Sequence, residues 1–336
     1  MAPFRIEPVN DHLSMIDIEL FGIRRAGAVF LVRGGLSCLV DAGTSKEARG
    51  LIRTLDSIRA FPPDILILTH SHYDHTQGTP VLCREAEKRG HPIKVMASEK
   101  AIPNLEDQSW NSTFDEKLKF ENIEGVEALH DGQVVDLDGC EIEVIGFAGH
   151  CADDIAIYDR QRETLIAGDA LGYQVEKSLM FPPFMPPFWR KDGFYAAVEK
   201  TRQLGCKKLC LNHFGCLEGD GIETFLDDTV RTYETWWKIF ADADKKGKLD
   251  DPAYLKDRIL TVVDQRLPEL EIGKPLMRIM LAMINVAKKI RGKAPINVAE
   301  VQLEGIIGRL TEGYKVATGK SRPHKLPTTE SRPRRM

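Results

Sequence analysis

A run of seven residues, Thr-His-Ser-His-Tyr-Asp-His at positions 69–75, constrains the fold of this chain more than any other feature. It directly follows the apolar stretch Asp-Ile-Leu-Ile-Leu, which is typical of a buried strand. Because successive side chains of a strand alternate between its two sides, His70 and His72 can reach one metal ion together. The turn that follows would bring Asp74 and His75 toward a second ion. Imidazole nitrogens and carboxylate oxygens suit zinc, iron or manganese, so this spacing predicts a metal site at the end of a strand.

Three further candidate ligands occur later in the chain, and each follows a strand-like run. The runs cover residues 141–145, 164–168 and 208–212, and the candidates are His150, Asp169 and His213. Functional groups of open sheets usually lie just beyond the carboxyl ends of strands. One such residue alone is more often a cap or a turn residue. The three together with the run at 69–75 favour a site for two metal ions.

Hairpin and helix signals alternate along the first two thirds of the chain. Two β-rich runs, 28–32 and 36–40, are separated by Gly34-Gly35, and a second hairpin is centred on Asp138-Gly139. Apolar residues at helical spacing predict helices near 45–59, 77–89, 193–204 and 221–242. This alternation favours an α/β fold, an αββα sandwich of two mixed sheets with helices on their outer faces. We place this domain at residues 1–243.

The last third of the chain predicts a separate helical part and a tail. After a polar segment, apolar residues recur at helical spacing near 252–266, 275–291 and 296–315, which indicates an α-helical C-terminal extension at 252–316. Residues 317–336 contain six cations, one Glu and three prolines, and we expect a disordered basic tail there. The tail carries a net charge of +5, so the rest of the chain carries −9 of the overall −4.

The order of the candidate ligands resembles the metallo-β-lactamase superfamily over roughly residues 1–240. The matching features are the H-x-H-x-D-H run, the single His150, the Gly168-Asp169 pair and the late His213. The resemblance implies two divalent metal ions, with zinc as the first choice and iron or manganese as alternatives. It also implies a division of ligands: His70, His72 and His150 for the first ion, Asp74, His75 and His213 for the second, and Asp169 bridging both. Flavodiiron proteins carry Glu at the position of His72, which argues against a redox role.

A more specific resemblance is to PqsE-like thioesterases, which also have a helical C-terminal extension. It rests on residues 68–75, 149–154 and 168–172. It implies a dinuclear metal-dependent hydrolase of thioesters or related carboxylic esters. The alternatives are a lactonase of the acyl-homoserine-lactone type, an RNase Z-like phosphodiesterase, a persulfide dioxygenase with one iron, or a protein that acts mainly by binding a partner. The phosphodiesterase would need a basic substrate surface, which a body with a net charge of −9 does not favour.

The chemistry expected of such a site assigns roles to two residues. Two adjacent cations lower the pKa of a water between them toward neutrality, and the resulting hydroxide attacks the substrate carbonyl. We expect Asp74 to bind metal and to orient this nucleophile. Tyr173, four residues after Asp169, is a candidate proton donor to an alkoxide leaving group. A thiolate leaves without a proton, so a thioester needs this donor least.

Residues 181–189, Phe-Pro-Pro-Phe-Met-Pro-Pro-Phe-Trp, form a second unusual segment. Its prolines stiffen the backbone and remove hydrogen-bond donors. One interpretation is a wall of the substrate site that favours a hydrophobic acyl group. The other is a rigid loop docked on the C-terminal helices or on a second subunit. Under the first interpretation the substrate-binding residues are Phe181, Phe184, Met185, Phe188 and Trp189.

Composition and charge set expectations for partners and location. We expect a small-molecule acyl substrate, no nucleic acid and no membrane, because no run reaches the ~18 uncharged apolar residues of a membrane span. The apolar pattern at 275–291 predicts a buried or interface helix, and with it a homodimer through the C-terminal helices. Seven scattered cysteines without a compact framework, and no charged-then-apolar leader, favour the reducing cytoplasm.

Overall fold

Two mixed β-sheets lie at the centre of the fold. In the computed structural model, which describes residues 3–114, 119–176, 179–187, 189–263 and 270–321, the first sheet has seven strands in chain order. They are β1 (Arg5–Pro8), β2 (Leu13–Asp17), β3 (Ala28–Arg33), β4 (Ser37–Val40), β5 (Ile65–Leu68), β6 (Lys94–Ser98) and β7 (Glu127–Leu129). The pairs from β1 to β4 are antiparallel, which confirms the hairpin predicted around Gly34-Gly35, and those from β4 to β7 are parallel.

The second sheet has the strand order β15-β14-β11-β10-β9-β8. Its strands are β8 (Val134–Asp136), β9 (Glu141–Gly146), β10 (Ile155–Asp159), β11 (Thr164–Ile166), β14 (Lys208–Leu211) and β15 (Gly215–Glu218). Between β11 and β14 the chain forms a separate two-stranded ribbon of β12 (Tyr173–Glu176) and β13 (Leu179–Phe181). Only β11 and β14 pair in parallel among the described neighbours of this sheet. The hairpin predicted at Asp138-Gly139 is confirmed as the connection from β8 to β9.

The sheets pack face to face through alternate residues of their strands. In β3, Phe30 lies in the layer between the sheets, and its neighbour Val29 lies on the outer face. In β10, Ile157 belongs to the layer between the sheets and Tyr158 to the opposite face. This alternation follows from the period of two along a strand. Both faces of both sheets are therefore apolar, and each outer face needs a cover of helices.

Helices cover the outer face of the first sheet. The helices of this part of the chain are α1 (Ser45–Ser57), α2 (Tyr73–Thr76), α3 (Thr79–Lys88) and α4 (Ile102–Glu106). Of these, α1, α3 and α4 contribute apolar side chains to the cover. The helix α1 begins where the side chain of Thr44 accepts a hydrogen bond from the backbone N–H of Lys46, as an N-cap residue does. Leu51 and Leu55 on its inner face join the same apolar cluster as Leu39 of the sheet. The helices predicted near 45–59 and 77–89 are thus confirmed as α1 and α3.

The outer face of the second sheet is covered by helices from both the sandwich and the C-terminal extension. The remaining helices of the chain are α5 (Lys191–Leu204), α6 (Asp220–Lys245), α7 (Pro252–Val263), α8 (Pro275–Ile290) and α9 (Val298–Ala317). All of them except α8 contribute apolar side chains to this layer. Leu255 of α7 and Ile307 of α9 belong to one apolar cluster with Leu165 and Leu209 of the sheet. The extension therefore shares its core with the sandwich.

The predicted layers, two sheets between helices with a helical extension, match the observed architecture. The end of the helix predicted at 252–266 and the basic tail from residue 322 onward lie outside the described residues. None of the helices that the structure describes is both long and apolar enough to cross a membrane.

The helix α8 differs from its neighbours because none of its side chains is buried. Its large apolar side chains are exposed instead, at Leu276, Met277, Ile279, Met280, Met283, Ile284, Val286 and Ile290. The helix predicted near 275–291 is confirmed, and within a single chain it is not a core helix.

Candidate metal centre

The predicted ligands lie together at one edge of the sandwich, where strands of both sheets end. The run at 69–75 follows β5 of the first sheet and continues into α2. His150 lies between β9 and β10, Asp169 follows β11, and His213 lies between β14 and β15. Residues that are up to 143 positions apart in sequence are brought together because these strand ends meet at the same edge.

Three imidazole nitrogens converge in a first group, formed by His70, His72 and His150. His72 Nδ1 lies 3.0 Å from His70 Nε2 and 2.8 Å from His150 Nε2. Burial is the largest influence on all three rings, and it lowers the pKa of each below the usual value for imidazole. A buried cation loses its hydration, so these rings are neutral, which is the form that binds metal ions.

The outer nitrogens of two of these rings are held by backbone carbonyls of the proline-rich segment. His150 Nδ1 donates to the carbonyl of Pro183 (2.7 Å), and His72 Nε2 donates to that of Pro186 (3.3 Å). Each outer nitrogen therefore carries the hydrogen, and the inner nitrogen offers its lone pair to the centre of the group. The segment 181–189 thus orients two of the rings, a role that the sequence analysis did not predict.

A second group consists of Asp74, His75 and His213. His213 Nε2 lies 3.7 Å from Asp74 Oδ2. His75 Nδ1 donates to Asp41 Oδ2 (2.8 Å), and His213 Nδ1 donates to the carbonyl of Ala26 (2.5 Å). Each imidazole uses Nδ1 to fix its ring, so that Nε2 faces the interior of the group.

Asp169 lies between the two groups. Its Oδ2 is 3.3 Å from His75 Nε2, 3.5 Å from His213 Nε2 and 3.9 Å from His70 Nε2. Burial opposes the charged form of this carboxylate, but His75 and His213 outweigh it and hold the pKa of Asp169 well below its usual range. Burial also opposes the cationic form of His75, but Asp169 and Asp41 together raise its pKa well above the usual range. Asp169 is therefore ionised where it can contact ligands of both groups.

The donor set fits divalent cations. Among the seven candidate ligands, all of which the structure describes, two buried atoms have no hydrogen-bond partner, His75 Nε2 and Asp169 Oδ1. A buried polar atom without a partner costs free energy. A metal ion bound to this nitrogen and this oxygen would remove that cost. Imidazole and carboxylate ligands in two adjoining groups suit zinc, iron or manganese.

Asp41 is the site residue that the sequence analysis missed. Its Oδ1 accepts from the backbone N–H of Thr69 (2.8 Å), and its Oδ2 accepts from the Thr69 hydroxyl (2.8 Å), from His75 Nδ1 (2.8 Å) and from Asn212 Nδ2 (2.7 Å). It is 1% exposed. One signal in the sequence could have indicated it, because Asp41 directly follows the predicted strand at 36–40. That strand, β4, pairs in parallel with β5, so the residues that follow the two strands lie side by side.

The loop that carries His150 approaches the loop that carries Asp169 at a glycine. A Cβ atom on Gly149 would lie 2.2 Å from the carbonyl oxygen of Ala170, which no side chain can tolerate. Asp154 shapes the same loop, because its Oδ2 accepts from the backbone N–H of His150 (2.7 Å) and of Cys151 (2.6 Å). Burial, followed by the negative charge of Asp154, raises the pKa of Cys151 well above its usual range, so its thiol stays protonated.

A cavity opens onto Asp169 and the second group. Tyr173 lines it, and its hydroxyl lies 3.0 Å from His150 Nδ1. Burial, followed by the negative charges of Asp169 and Asp74, raises the pKa of Tyr173 well above its usual range. The apolar part of the lining consists of Leu20, Phe21, Ile23, Ala26, Phe114, Phe181, Met185, Leu270 and Ile306. Sequence reasoning missed the walls contributed by residues 20–26 and by α9, because both come from distant parts of the chain.

The predicted substrate-binding residues of segment 181–189 divide between two environments. Phe181 and Met185 line the cavity. Phe184 and Trp189 are not part of its lining and pack against aromatic rings of α6, with Phe184 5.5 Å from the ring of Trp237 and Trp189 5.2 Å from that of Tyr233. Phe188 lies outside the described residues. The wall interpretation thus describes one part of the segment, and the docked-loop interpretation describes the other.

Comparison with known sequences gives a family match. The family model of the Metallo-beta-lactamase superfamily matches residues 22–213, more than half of the chain. The acyl-coenzyme A thioesterase MBLAC2 of Bos taurus is 24% identical over 183 residues, which cover 48% of this chain and 64% of that protein. The atrochrysone carboxyl ACP thioesterase of Aspergillus fumigatus is 23% identical over 176 residues, covering 52% of this chain and 46% of that protein. The chain therefore spans less than two thirds of the length of these curated relatives.

Solved structures share the fold. MEM-A1, a subclass B3 metallo-β-lactamase isolated from a soil metagenome library, has a TM-score of 0.53 and 15% identity over 69% of this chain and 95% of that one. ST1585 from Sulfolobus tokodaii, an archaeal metallo-β-lactamase superfamily protein, has a TM-score of 0.51 and 19% identity over 65% of this chain and 85% of that one. At these identities the likeness concerns the fold, and it confirms the predicted αββα sandwich.

Replacing Asp41 tests the hydrogen-bond network around the second group. We expect Asp41→Asn to lower zinc affinity by about 10- to 100-fold, because the amide removes the charge that orients His75 and makes it a better ligand. Competition with a fluorescent chelator measures this affinity. Asp64→Asn is the matched control, since Asp64 accepts from Ser37 before the start of β5, away from both groups. Equal zinc affinity in both variants and the parent protein would show that Asp41 does not support the site.

Proposed function

Since this chain belongs to the metallo-β-lactamase superfamily, we propose that it is a metal-dependent hydrolase of thioesters or related carboxylic esters. The observation that carries the proposal is the placement of two converging ligand groups beside an apolar cavity. The ligand groups supply a site for hydrolytic chemistry, and the cavity supplies room for an acyl chain.

Two divalent ions are proposed, one in each group, with Asp169 between them. When bound, they would generate hydroxide from water at neutral pH and polarise a carbonyl oxygen. The chain supplies the geometry for this, because Pro183, Pro186, Asp41 and the carbonyl of Ala26 fix the four imidazoles that they contact. Asp74 both belongs to the second group and lines the cavity, so its carboxylate is well placed to orient a nucleophile toward the substrate.

The relatives support a thioester as the substrate. Both are named thioesterases, one of acyl-coenzyme A and one of an acyl carrier protein. An apolar wall built by residues 20–26, Phe114, Met185 and α9 suits an acyl chain, because burying it there removes apolar surface from water. The same wall does not suit nucleic acid, whose recognition requires several cations along the phosphate backbone. Acyl lactones are the second candidate, because they offer a carbonyl of the same kind on an apolar chain.

Tyr173 is proposed as the proton donor to an oxygen leaving group. It lines the cavity, and its hydroxyl lies within 3.1 Å of both ring nitrogens of His150, next to the first ligand group. An alkoxide is a poor leaving group and gains from a proton at that point, whereas a thiolate does not need one. The contribution of Tyr173 should therefore depend on the leaving atom.

A substrate panel tests the proposed reaction. The bound zinc and iron of the protein are first quantified. The protein is then assayed with acyl-CoA and acyl-glutathione thioesters, acyl homoserine lactones and bis-p-nitrophenyl phosphate. We expect thioester turnover that His72→Ala abolishes, since this ring offers its Nδ1 to the first group. His130→Ala is the control, because this imidazole is exposed and belongs to neither group. Turnover of the phosphodiester alone would overturn the proposal, and one bound iron with oxygen consumption would indicate a dioxygenase.

The leaving-group dependence of Tyr173→Phe tests the role of the hydroxyl. For oxygen esters or lactones we expect a fall in kcat by roughly 10²-fold or more, the range attributed to general acid catalysis. For a thioester with the same acyl group the fall should be much smaller. Paired kcat values for the two substrates, measured on the same preparation, give the comparison. An equal loss for both would assign Tyr173 a purely structural role.

A further inference from the structure

We infer that Arg309 binds an anionic oxygen group of the substrate, an inference that rests on the proposed acyl hydrolase function. Arg309 lies on α9 and lines the cavity together with Gln302 and Ile306 of the same helix. Of the lining residues that the structure describes, it is the one Lys or Arg. Arg309 is half-buried, and besides the ligand residues Asp74 and Asp169 the cavity lining holds no carboxylate among the described residues. A half-buried cation without an ion-pair partner favours the binding of an anion, because partial loss of hydration is then compensated.

The contacts of Arg309 leave its charge uncompensated. Its Nη2 donates to the hydroxyl of Tyr73 (3.2 Å), and its guanidinium lies 5.7 Å from the ring centroid of Phe114. Neither partner is an anion, and no Asp or Glu among the described residues forms an ion pair with it. Other half-buried cations of the chain do find carboxylates, for example Lys256 with Glu300 and Glu304. A guanidinium has five donors, so Arg309 retains donors for a bidentate contact with an oxyanion.

The position of Arg309 relative to the ligand groups sets which part of a substrate it can reach. One aromatic ring separates it from the first group, because the ring of Phe114 lies edge-on to His72 at 4.9 Å between centroids. Tyr73, its hydrogen-bond partner, is the residue between His72 and Asp74. The anion therefore lies near the reacting carbonyl, across the width of a ring. Two sources share this chemistry, a carboxylate on a short acyl chain and a phosphate of the carrier.

Paired thioesters distinguish these sources. Adipoyl and hexanoyl groups have the same number of carbons, and only the first ends in a carboxylate. Each is presented on N-acetylcysteamine, which is neutral, and on CoA, which carries phosphates. If Arg309 binds the acyl carboxylate, we expect Arg309→Gln to raise KM for the adipoyl thioesters by about 10- to 100-fold, as for the loss of a charge-assisted hydrogen bond. If it binds a carrier phosphate, the same rise should appear for the CoA thioesters. In either case KM for hexanoyl-N-acetylcysteamine should not change. Arg309→Lys should recover part of the loss, and Arg258→Gln, an exposed cation on α7, is the control.

Each outcome of this comparison has a definite meaning. A loss confined to adipoyl substrates identifies an acyl carboxylate, and a loss confined to CoA substrates identifies a carrier phosphate. Equal effects on all four substrates, or none, overturn the inference and leave Arg309 as a tether of α9. Calorimetric binding of the corresponding non-hydrolysable amides separates this inference from the proposed function. If the parent protein prefers an anionic amide and Arg309→Gln loses the preference, the inference stands even where no thioester is hydrolysed, and only the proposed function falls.

Discussion

The buried carboxylate of Asp41 joins the parts of the chain on which the candidate metal centre depends. It accepts hydrogen bonds from Thr69 and His75, which follow β5, and from Asn212, which follows β14. One anion therefore ties the ends of strands from both sheets. Its charge also sets the electrostatics of the site, because with Asp169 it raises the pKa of His75.

A second layer of support comes from the proline-rich segment at 181–189. Proline carbonyls accept hydrogen bonds but proline supplies no N–H, so Pro183 and Pro186 act on His150 and His72 only as acceptors. The side chains of the same segment divide between two tasks. Met185 lines the cavity, and Phe184 packs among the rings of α6. A stiff segment can thus fix two ligands, form part of a wall and anchor itself in the core at the same time.

The C-terminal extension takes part in both the core and the cavity. Leu303 and Ile307 of α9 are fully buried in the cluster that covers the second sheet, while Ile306 and Arg309 line the cavity. Positions three or four apart lie on the same face of a helix, so Leu303 and Ile307 share one face and Ile306 and Arg309 share an adjoining one. In our proposals, residues of α9 select the substrate, and the ligand residues at the strand ends bind the metal ions. Its helix α8 contributes to neither and exposes its apolar side chains.

The sequence by itself determined the layers of the fold and the seven candidate ligands, from His70 to His213. Strand alternation, hairpin glycines and ligands placed just after strands are local signals, and each can be read within a short window. The tertiary structure alone decided the role of Asp41, the orientation of His72 and His150 by proline carbonyls, the separation of Phe181 from Phe184, and the arrival of Arg309 in the cavity. These features depend on contacts between residues far apart in the chain, such as Arg309 and Tyr73, and such contacts leave no periodic trace in the sequence. Local patterns specify which elements form, whereas the packing of those elements specifies which side chains meet.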